Sequence, residues 1–379
     1  MGRLGVVILA AIPLVAAFVL VTTPHPLQEP LWPNSQFTEL DRQRSLLRGL
    51  EFIYSTASNT KHFQADGNDL LWCFYSLSAA AADPELKKRA WKMGQERARE
   101  WRRTNDRVPP DIGADEILDM AYGSLSAELL DVRDDALKAE LKTVARRHTA
   151  EEYLQFDPAK EPPPRDVPQN CAKCSSTNSR GVKLCKKCGM ELRMTSPYDI
   201  LCNALIATHT ASRYGMWIGG SYDDVAQWIP KMRPYPPAEE GRNSRINHEA
   251  AYAVTHIVYT LNDYTLYKLR PEWLPREYEY LRTNLKLTMA ENDLETLGEF
   301  LDTLRSFGMD ESDSLMQSGV EFLLQRQNSD GSWGRKQNPD PYASYHTTWT
   351  AMNGVMQYEW RGEGTIFPEA LRRIRAGNQ

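Results

Sequence analysis

The 379-residue chain has no excess of basic residues, since its net charge is −5 and charges of both signs are spread along its length. A nucleic-acid partner is therefore not expected, because phosphate backbones are bound by basic surfaces. No His-Glu-x-x-His sequence occurs, so no single helix offers the ligand pair of a zinc protease. Nothing in the first half of the body alternates polar and apolar residues as a β-strand does. What remains is a large helical protein that can bury a sizeable core.

Long apolar runs are also scarce, and only Leu4–Val21 approaches the length that crosses a bilayer. This run is at the short end for a transmembrane helix and long for the apolar part of a signal peptide. We predict an uncleaved signal-anchor in residues 1–23, with a cleaved signal peptide as the alternative. Arg3 precedes the run and no Lys or Arg follows until Arg42, which places the N-terminus in the cytoplasm. The sequence thus predicts a single-pass membrane protein with a tether at 24–35 and its body on the non-cytoplasmic side.

Cysteine is scarce too, with six in the chain, and four of the six form one motif. Cys171 and Cys174 form one Cys-x2-Cys pair, and Cys185 and Cys188 form a second pair ten residues later. Each pair predicts a knuckle that points two thiolates at one ion, so the motif predicts a structural zinc site of the zinc-ribbon type. Two disulfides are the alternative, because the predicted topology places the body in an oxidising compartment. Four protein ligands leave no position for substrate, so this zinc is assigned no catalysis.

The body is predicted to consist of two helical halves, 36–156 and 196–379, separated by a linker and the four-cysteine insertion at 157–195. The linker is indicated by the proline-rich composition of Pro158–Pro168. The predicted helices cover residues 36–57, 67–82, 84–103, 114–130, 134–155, 197–214, 222–229, 245–269, 275–290, 292–307 and 312–327, and a further one begins near Ser344.

The helix predicted at 245–269 has two different faces. Its first part, from Asn247 to Tyr264, contains neither Gly nor Pro. One face is an apolar stripe with the spacing of a core helix, formed by Ala250, Val254, Ile257, Val258 and Leu261. The opposite face carries aromatic, histidine and acidic side chains, namely Glu249, Tyr252, His256, Tyr259 and Asp263, with His248 at its edge. We expect this second face either to line a shared polar cavity or to be a solvated face that is rich in aromatic residues.

A second two-sided pattern occurs in the helix predicted at 292–307. Leucines lie along one side, and an acidic stripe lies along another, formed by Glu291, Glu295, Glu299 and Asp302. Acidic stripes are usually solvated, and the alternative is that this one contributes Glu299 to a site.

One segment carries a family resemblance. The stretch from Gln327 to Trp333, with Gly331 between them, fits the pattern Q-x3-G-x-W. It resembles the QW repeat of the terpenoid cyclase and protein prenyltransferase superfamily, whose fold is an α/α toroid, and the similarity extends over Val320–Gln357. The resemblance implies five or six helical hairpins, with Gln327 and Trp333 bracing the loop between an outer helix and the next inner one. The Asp-x-Asp-Asp motif of class II cyclases is absent, so terpene cyclisation is not implied.

In a toroid the inner helices turn one face to a central funnel, where residues from several helices would meet. The candidate catalytic residues are His256, His346, Asp263, Glu299 and His209. The candidate ligand-binding residues are Tyr252, Tyr259 and Trp349. Histidine and carboxylate groups together can bind a second, catalytic metal ion or act as general acid and base.

These observations favour a membrane-anchored enzyme of the α/α-toroid class that acts on a small molecule, a glycan or a peptide. The alternative is a non-catalytic membrane-tethered binding or scaffold protein whose zinc ribbon contacts a partner.

Overall fold

The computed structural model describes residues 31, 34–236 and 245–377, and in these residues the protein is all-α, without a β-strand. The predicted fold class is therefore confirmed at this level. The predicted signal-anchor lies outside the described residues, and none of the described helices is long and apolar enough to cross a membrane.

The fourteen α-helices of the described chain are α1 (Glu39–Ser58), α2 (Thr60–Ala80), α3 (Pro84–Thr104), α4 (Ala114–Leu129), α5 (Asp135–Val144), α6 (Ala150–Leu154), α7 (Pro197–Tyr214), α8 (Tyr222–Ala226), α9 (Arg245–Leu261), α10 (Pro275–Ala290), α11 (Leu294–Ser306), α12 (Ser314–Gln325), α13 (Pro341–Val355) and α14 (Pro368–Ala376).

Several helices begin where proline and a capping side chain coincide. α3 starts at Pro84, and the Asp83 carboxylate before it accepts a hydrogen bond from the Leu86 backbone N–H at 2.7 Å. α7 starts at Pro197, and the preceding Ser196 hydroxyl accepts from a first-turn N–H in the same way. The N–H group at the first helical position has no partner within the helix, so proline, which lacks an N–H, loses no hydrogen bond there. Its fixed φ also suits a helix, and the capping side chain accepts from another free N–H of the first turn. Both starts agree with the predicted boundaries for this reason.

Three predicted helices have a different extent in the structure. The helix predicted at 134–155 is divided into α5, a 3₁₀ turn and α6. α9 ends at Leu261, eight residues before the predicted end at 269, because the residues 263–265 have positive φ angles. α2 begins earlier than predicted and continues through Asp66. The φ of −121° and ψ of 15° at Asp66 are not helical, so Asp66 lies at a kink inside the helix and not at its N-terminal cap.

The long helices contact one another in a regular order. α2 contacts α4, α4 contacts α7, α7 contacts α9, α9 contacts α11, α11 contacts α13, and α13 contacts α2. Other helices lie beside neighbouring members of this series: α1 contacts α2 and α13, α3 contacts α2 and α4, and α10 contacts α9 and α11. The five apolar side chains predicted to form a stripe on α9 are all fully buried, which confirms that this face packs in the core.

The closest helix crossing is that of α11 and α13, where Gly298 and Gly354 face each other. A Cβ atom on Gly298 would lie 2.3 Å from the Thr350 carbonyl oxygen, and one on Gly354 would lie 3.0 Å from Cα of Gly298. A side chain at either position would force the two backbones apart. The crossing therefore depends on glycine, and it brings the first turn of α11 close to the first two turns of α13.

The loop between α12 and α13 is held by the two residues of the Q-x3-G-x-W segment. The Gln327 amide donates to the backbone carbonyls of Ser45 on α1 and Gly331 in the loop, at 2.8 and 2.9 Å. The buried Trp333 indole donates to the Leu323 carbonyl on α12 at 2.8 Å. These bonds fix the start of α13 relative to α1 and α12.

We expect Gly298→Ala to lower the free energy of unfolding by about 1–3 kcal/mol, because the added methyl group overpacks a backbone contact. Gly67→Ala on α2 is the matched control, since its Cβ would meet no atom closer than 3.4 Å. Alanine is the better helix former, so this control should raise stability by up to about 1 kcal/mol. Urea unfolding of both variants measures the difference. Equal effects of the two substitutions would show that the crossing tolerates a side chain.

Candidate functional site

A narrow cavity of about 30 Å³ lies between α2, α9, α11 and α13. This volume can hold roughly two water molecules. Three of the candidate catalytic residues line it, namely His256 from α9, Glu299 from α11 and His346 from α13. The candidate ligand-binding residues Tyr259 and Trp349 also line it. The predicted gathering of side chains from α9, α11 and α13 at one cavity is therefore found in the structure.

His346 and Glu295 form an ion pair at the crossing of α13 and α11. Nδ1 of His346 lies 2.9 Å from Oε1 of Glu295, although the ring N–H is not aligned on that oxygen. Burial by itself would lower the pKa of His346, but the hydrogen bond and charge of Glu295, with the charges of Asp69 and Glu299, raise it to about 9. The pKa of Glu295 is lowered against the effect of burial by the same partner. Near neutral pH the pair is therefore a histidinium and a carboxylate.

His256 is buried beside this pair but stays neutral. Its Nδ1 lies 2.9 Å from the backbone carbonyl oxygen of Tyr252, one turn earlier on α9. Burial lowers the pKa of His256 to about 4, and the nearby charge of His346 acts in the same direction. The partner of His256 is thus a main-chain carbonyl and not an acid or a tyrosine hydroxyl. Because this carbonyl can only accept, Nδ1 carries the proton and Nε2 is an acceptor.

Glu299 is a buried carboxyl that holds its proton at neutral pH. Its Oε2 accepts a hydrogen bond from the Thr255 hydroxyl at 2.7 Å. Burial raises the pKa of Glu299 to about 8, even though the charge of His346 and the bond from Thr255 both lower it. A carboxyl group with such a pKa is mostly protonated at pH 7 and has a proton to donate.

Asp302 lies one turn further along α11 and lines the same cavity. Its side chain is fully buried, and neither carboxyl oxygen has a hydrogen-bond partner of good geometry. Burial raises the pKa of Asp302 to about 7, while the hydroxyls of Tyr358 and Tyr259 lower it. A buried carboxyl is costly to ionise, so it holds its proton to a higher pH than an exposed one. Glu299 and Asp302 thus form a pair of buried carboxyls that titrate near neutral pH.

The acidic stripe on α11 changes environment along its length. Glu291 precedes the helix and is exposed, Glu295 is partly buried, and Glu299 and Asp302 are buried. The solvated interpretation of this stripe is therefore wrong for its second half. The sequence showed the stripe, but the role of Asp302 was missed because only packing reveals which carboxyls leave the solvent.

Aromatic rings connect the cavity to the protein surface. Along α9 the ring of His248 stacks on Tyr252, and Tyr252 contacts His256 with centroids 4.2 Å apart. On α13 the ring of Tyr342 stacks on His346 at 5.1 Å, and Tyr342 is 41% exposed. The N-terminal ends of α9 and α13 therefore present an aromatic path that leads inward to the carboxyl pair.

Two candidate residues, His209 and Asp263, lie elsewhere. Nε2 of His209 is 3.0 Å from Oδ1 of Asp263, and Arg213 donates to Oδ2 of Asp263 at 2.8 Å. None of these three side chains lines the cavity. Asp263 is thus not brought to His256, because α9 has ended and the chain has turned away.

The turn that follows α9 is unusual, since Asp263, Tyr264 and Thr265 have φ angles of 58°, 53° and 66°. Left-handed conformations cost energy for residues with a side chain. Asn262 supports this turn by accepting from the Thr265 N–H at 2.9 Å. The turn places Tyr264 and Thr265 in the cavity wall. Strained backbone of this kind is common in functional sites.

The four cysteines form a separate site between α6 and α7. All four Sγ atoms lie within 4.8 Å of one another. Cys171 and Cys188 are 3.5 Å apart, and Cys174 and Cys185 are 3.6 Å apart. A disulfide requires about 2.05 Å, whereas tetrahedral Zn–S bonds of about 2.3 Å place sulfurs about 3.8 Å apart. The cluster therefore fits a metal ion such as zinc and does not have the geometry of two disulfides.

The two knuckles have the same backbone structure. The Ser175 N–H donates to the Cys171 carbonyl at 2.7 Å, and the Gly189 N–H donates to the Cys185 carbonyl at 2.8 Å. Ser175 and Gly189 have φ angles of 53° and 72°, the left-handed conformation that closes each knuckle. The cysteines pack with Leu192 in a small core that is separate from the main one. Among the described residues, no other group of three His, Cys, Asp or Glu brings its ligand atoms within this distance, so the predicted second metal ion has no identified ligands.

We expect the purified chain to hold one zinc ion, and Cys185→Ser to release it, because three thiolates and a hydroxyl bind zinc much more weakly. The helical circular-dichroism signal should change little, since the cysteine cluster has its own core. Zinc content by mass spectrometry measures the first effect. Cys202→Ala, a substitution of a buried cysteine of α7, is the control and should retain the zinc. Zinc retained in Cys185→Ser would contradict the four-thiolate site.

The protonated state of Glu299 can be tested without a substrate. Its carboxyl ionises near 4.5 in the unfolded chain and near 8 in the folded protein, so the folded state binds the extra proton between these values. Stability conferred by this proton is therefore lost as the pH rises from 5 to 8, at up to about 1.4 kcal/mol per pH unit. Glu299→Gln keeps an acceptor for Thr255 but cannot ionise, so its stability relative to the wild type should rise over this range.

Urea unfolding at several pH values measures this difference. The control is Glu291→Gln, which removes an exposed carboxyl just before the same helix and should give no such trend. A constant difference between Glu299→Gln and the wild type from pH 5 to 8 would show that Glu299 is ionised throughout.

No protein-family model, curated protein or solved structure matches this chain. The cavity, its carboxyl pair and the cysteine cluster are therefore the evidence on its function.

Proposed function

We propose that this chain is a membrane-anchored acid–base enzyme, in which Glu299 is the general acid and Asp302 the general base. The observation that carries the proposal is the pair of buried carboxyls, whose pKa values of about 8 and 7 bracket neutral pH in one cavity. Perturbed carboxyls with complementary protonation states are typical of active sites. The four-cysteine zinc site has a structural role in this proposal.

The proposed architecture is an α/α toroid. The order of helix contacts supports it, since the series α2, α4, α7, α9, α11 and α13 returns to α2 and the other long helices lie beside neighbouring pairs. The bonds of Gln327 and Trp333 support it as well, because they hold the loop between a peripheral helix and the next helix of that series. The cavity would then be the narrow end of the central funnel.

The proposed reaction is hydrolysis of a glycosidic bond. Glu299 donates its proton to the oxygen of the departing sugar as the C–O bond breaks. Asp302 takes a proton from the water whose oxygen forms the new bond to the same carbon. The proton taken up by Asp302 then leaves to solvent while Glu299 is reprotonated, so the cycle consumes one water and no cofactor.

The other cavity residues have supporting roles in this reaction. The charge of His346 is fixed by Glu295 and can stabilise negative charge that develops nearby. Neutral His256 offers Nε2 as an acceptor for a substrate hydroxyl. The rings of Tyr252, Tyr342 and Trp349 provide flat surfaces with polar edges, which suit the faces and hydroxyl groups of a sugar.

A second function is favoured by one observation, namely that the cavity is too narrow for a sugar ring in this conformation. A non-catalytic membrane-tethered protein would bind its ligand only at the aromatic mouth formed by His248, Tyr252 and Tyr342. The enzyme requires instead that the side chains around Tyr342 move when substrate enters.

The test is release of reducing ends from a panel of neutral oligosaccharides by the purified full-length chain. Activity should be highest between pH 7 and 8, because Asp302 must lose its proton and Glu299 must keep it. Glu299→Gln should lower kcat by about 10²-fold or more. Glu291→Gln should have wild-type activity. Oligosaccharide binding without turnover would favour the binding protein, and equal activity of Glu299→Gln and the wild type would exclude Glu299 as the acid.

A further inference from the structure

A second pocket, of about 520 Å³, lies beside the C-terminal turns of α2 and α7, the helix α3 and the segment that follows α13. Its size is in the range of small-molecule sites. We will call it the arginine pocket, after two of the residues that line it, Arg213 and Arg361. The remaining lining includes a third cation, Lys87, and the indoles of Trp91 and Trp360.

The charges of the arginine pocket are not balanced. Lys87 pairs with Glu359, and Arg213 pairs with Asp263 at 2.8 Å. Arg361 makes no ion pair with any residue that the structure describes, and it is exposed at the pocket. Its charge acts at longer range on Asp263, so the guanidinium of Arg361 is near a carboxylate but has no salt-bridge partner among the described residues.

The backbone that carries Trp360 and Arg361 is held in place on both sides. The Glu359 N–H donates to the Ala80 carbonyl at 2.8 Å, and the Arg361 N–H donates to the Leu266 carbonyl at 2.8 Å. The Trp360 ring also stacks on Tyr358, with centroids 5.0 Å apart. These contacts fix the backbone that carries both side chains and orient the indole before any ligand arrives, which reduces the entropy lost on binding.

Polar groups of α2 complete the wall between the arginines. Tyr75 and Ser78 line the pocket and are buried. Burial raises the pKa of Tyr75, and so does the charge of Asp263, whereas the positive charges of Arg213 and Arg361 lower it. The cations, the hydroxyls and the indoles thus converge on one space.

We infer that the arginine pocket binds a small carboxylate that carries a ring. The planar guanidinium of Arg361 matches a carboxylate with two parallel hydrogen bonds. One guanidinium without a salt-bridge partner suits a ligand with a single negative charge better than a phosphate group with nearly two. The ring of the ligand packs against Trp91 and Trp360, and Ser78 and Tyr75 serve any hydroxyl groups on it. This inference does not depend on the proposed glycosidase activity.

Titration calorimetry on the purified full-length chain at low salt tests the inference with two carboxylates and their neutral analogues. Glucuronate is compared with glucose, and benzoate with benzamide. At least one carboxylate should bind at least tenfold more tightly than its neutral partner, since a hydrogen bond to a charged group contributes about 1.5–3 kcal/mol. The pair that shows the difference tells whether the ring is a sugar or an aromatic ring.

Two variants assign the binding to the pocket. Arg361→Gln should weaken carboxylate binding at least tenfold, and its exposure makes a folding defect unexpected. Arg372→Gln, a matched change of an exposed arginine on α14, should leave binding unchanged. The inference is overturned if neither carboxylate binds, if Arg361→Gln binds as the wild type does, or if inorganic phosphate binds more tightly than both carboxylates.

Discussion

The candidate active site depends on the close crossing of α11 and α13 at Gly298 and Gly354. Both glycines allow backbone contact where any side chain would collide. The crossing brings Glu295 to His346, and that ion pair keeps a positive charge in the cavity. The second turn of α11 then places Glu299 against α9, where Thr255 donates to it. A shift of either helix would alter the pair, the acid and the cavity together, because all three share the same two backbones.

The cavity concentrates charge that the protein only partly neutralises. Its two histidines and two carboxyls have shifted pKa values; burial drives the shifts of His256, Glu299 and Asp302, whereas for His346 the neighbouring carboxylates outweigh burial. Their states near neutral pH differ: His346 is charged by its ion pair, His256 is neutral because it bonds to a main-chain carbonyl, and Glu299 is protonated. A site that served only stability would gain from apolar residues of similar volume, since buried polar groups without partners are destabilising. The hydroxyls of Tyr358 and Tyr259 offset only part of the effect of burial on Asp302.

The cysteine cluster and the cavity are independent in structure. The knuckles are formed by short-range backbone bonds, with Ser175 and Gly189 in equivalent left-handed positions. Their small core does not merge with the main core, which contains the helices around the carboxyl pair. By contrast, the arginine pocket is linked to the cavity through Arg213 and Asp263, because Asp263 begins the turn that carries Tyr264.

The sequence by itself determined the features that depend on local spacing. These are the all-α class, most helix positions, the four-cysteine cluster and the buried stripe of α9. Local patterns suffice there, because periodicity, capping and knuckle formation act over a few residues. Tertiary structure decided the rest. Asp302 and Glu295 belong to the site only because α11 and α13 cross closely. Asp263 lies away from the site because a left-handed turn ends α9. Whether a carboxyl on a helix is solvated or buried depends on the helices packed against it, and these are distant in sequence.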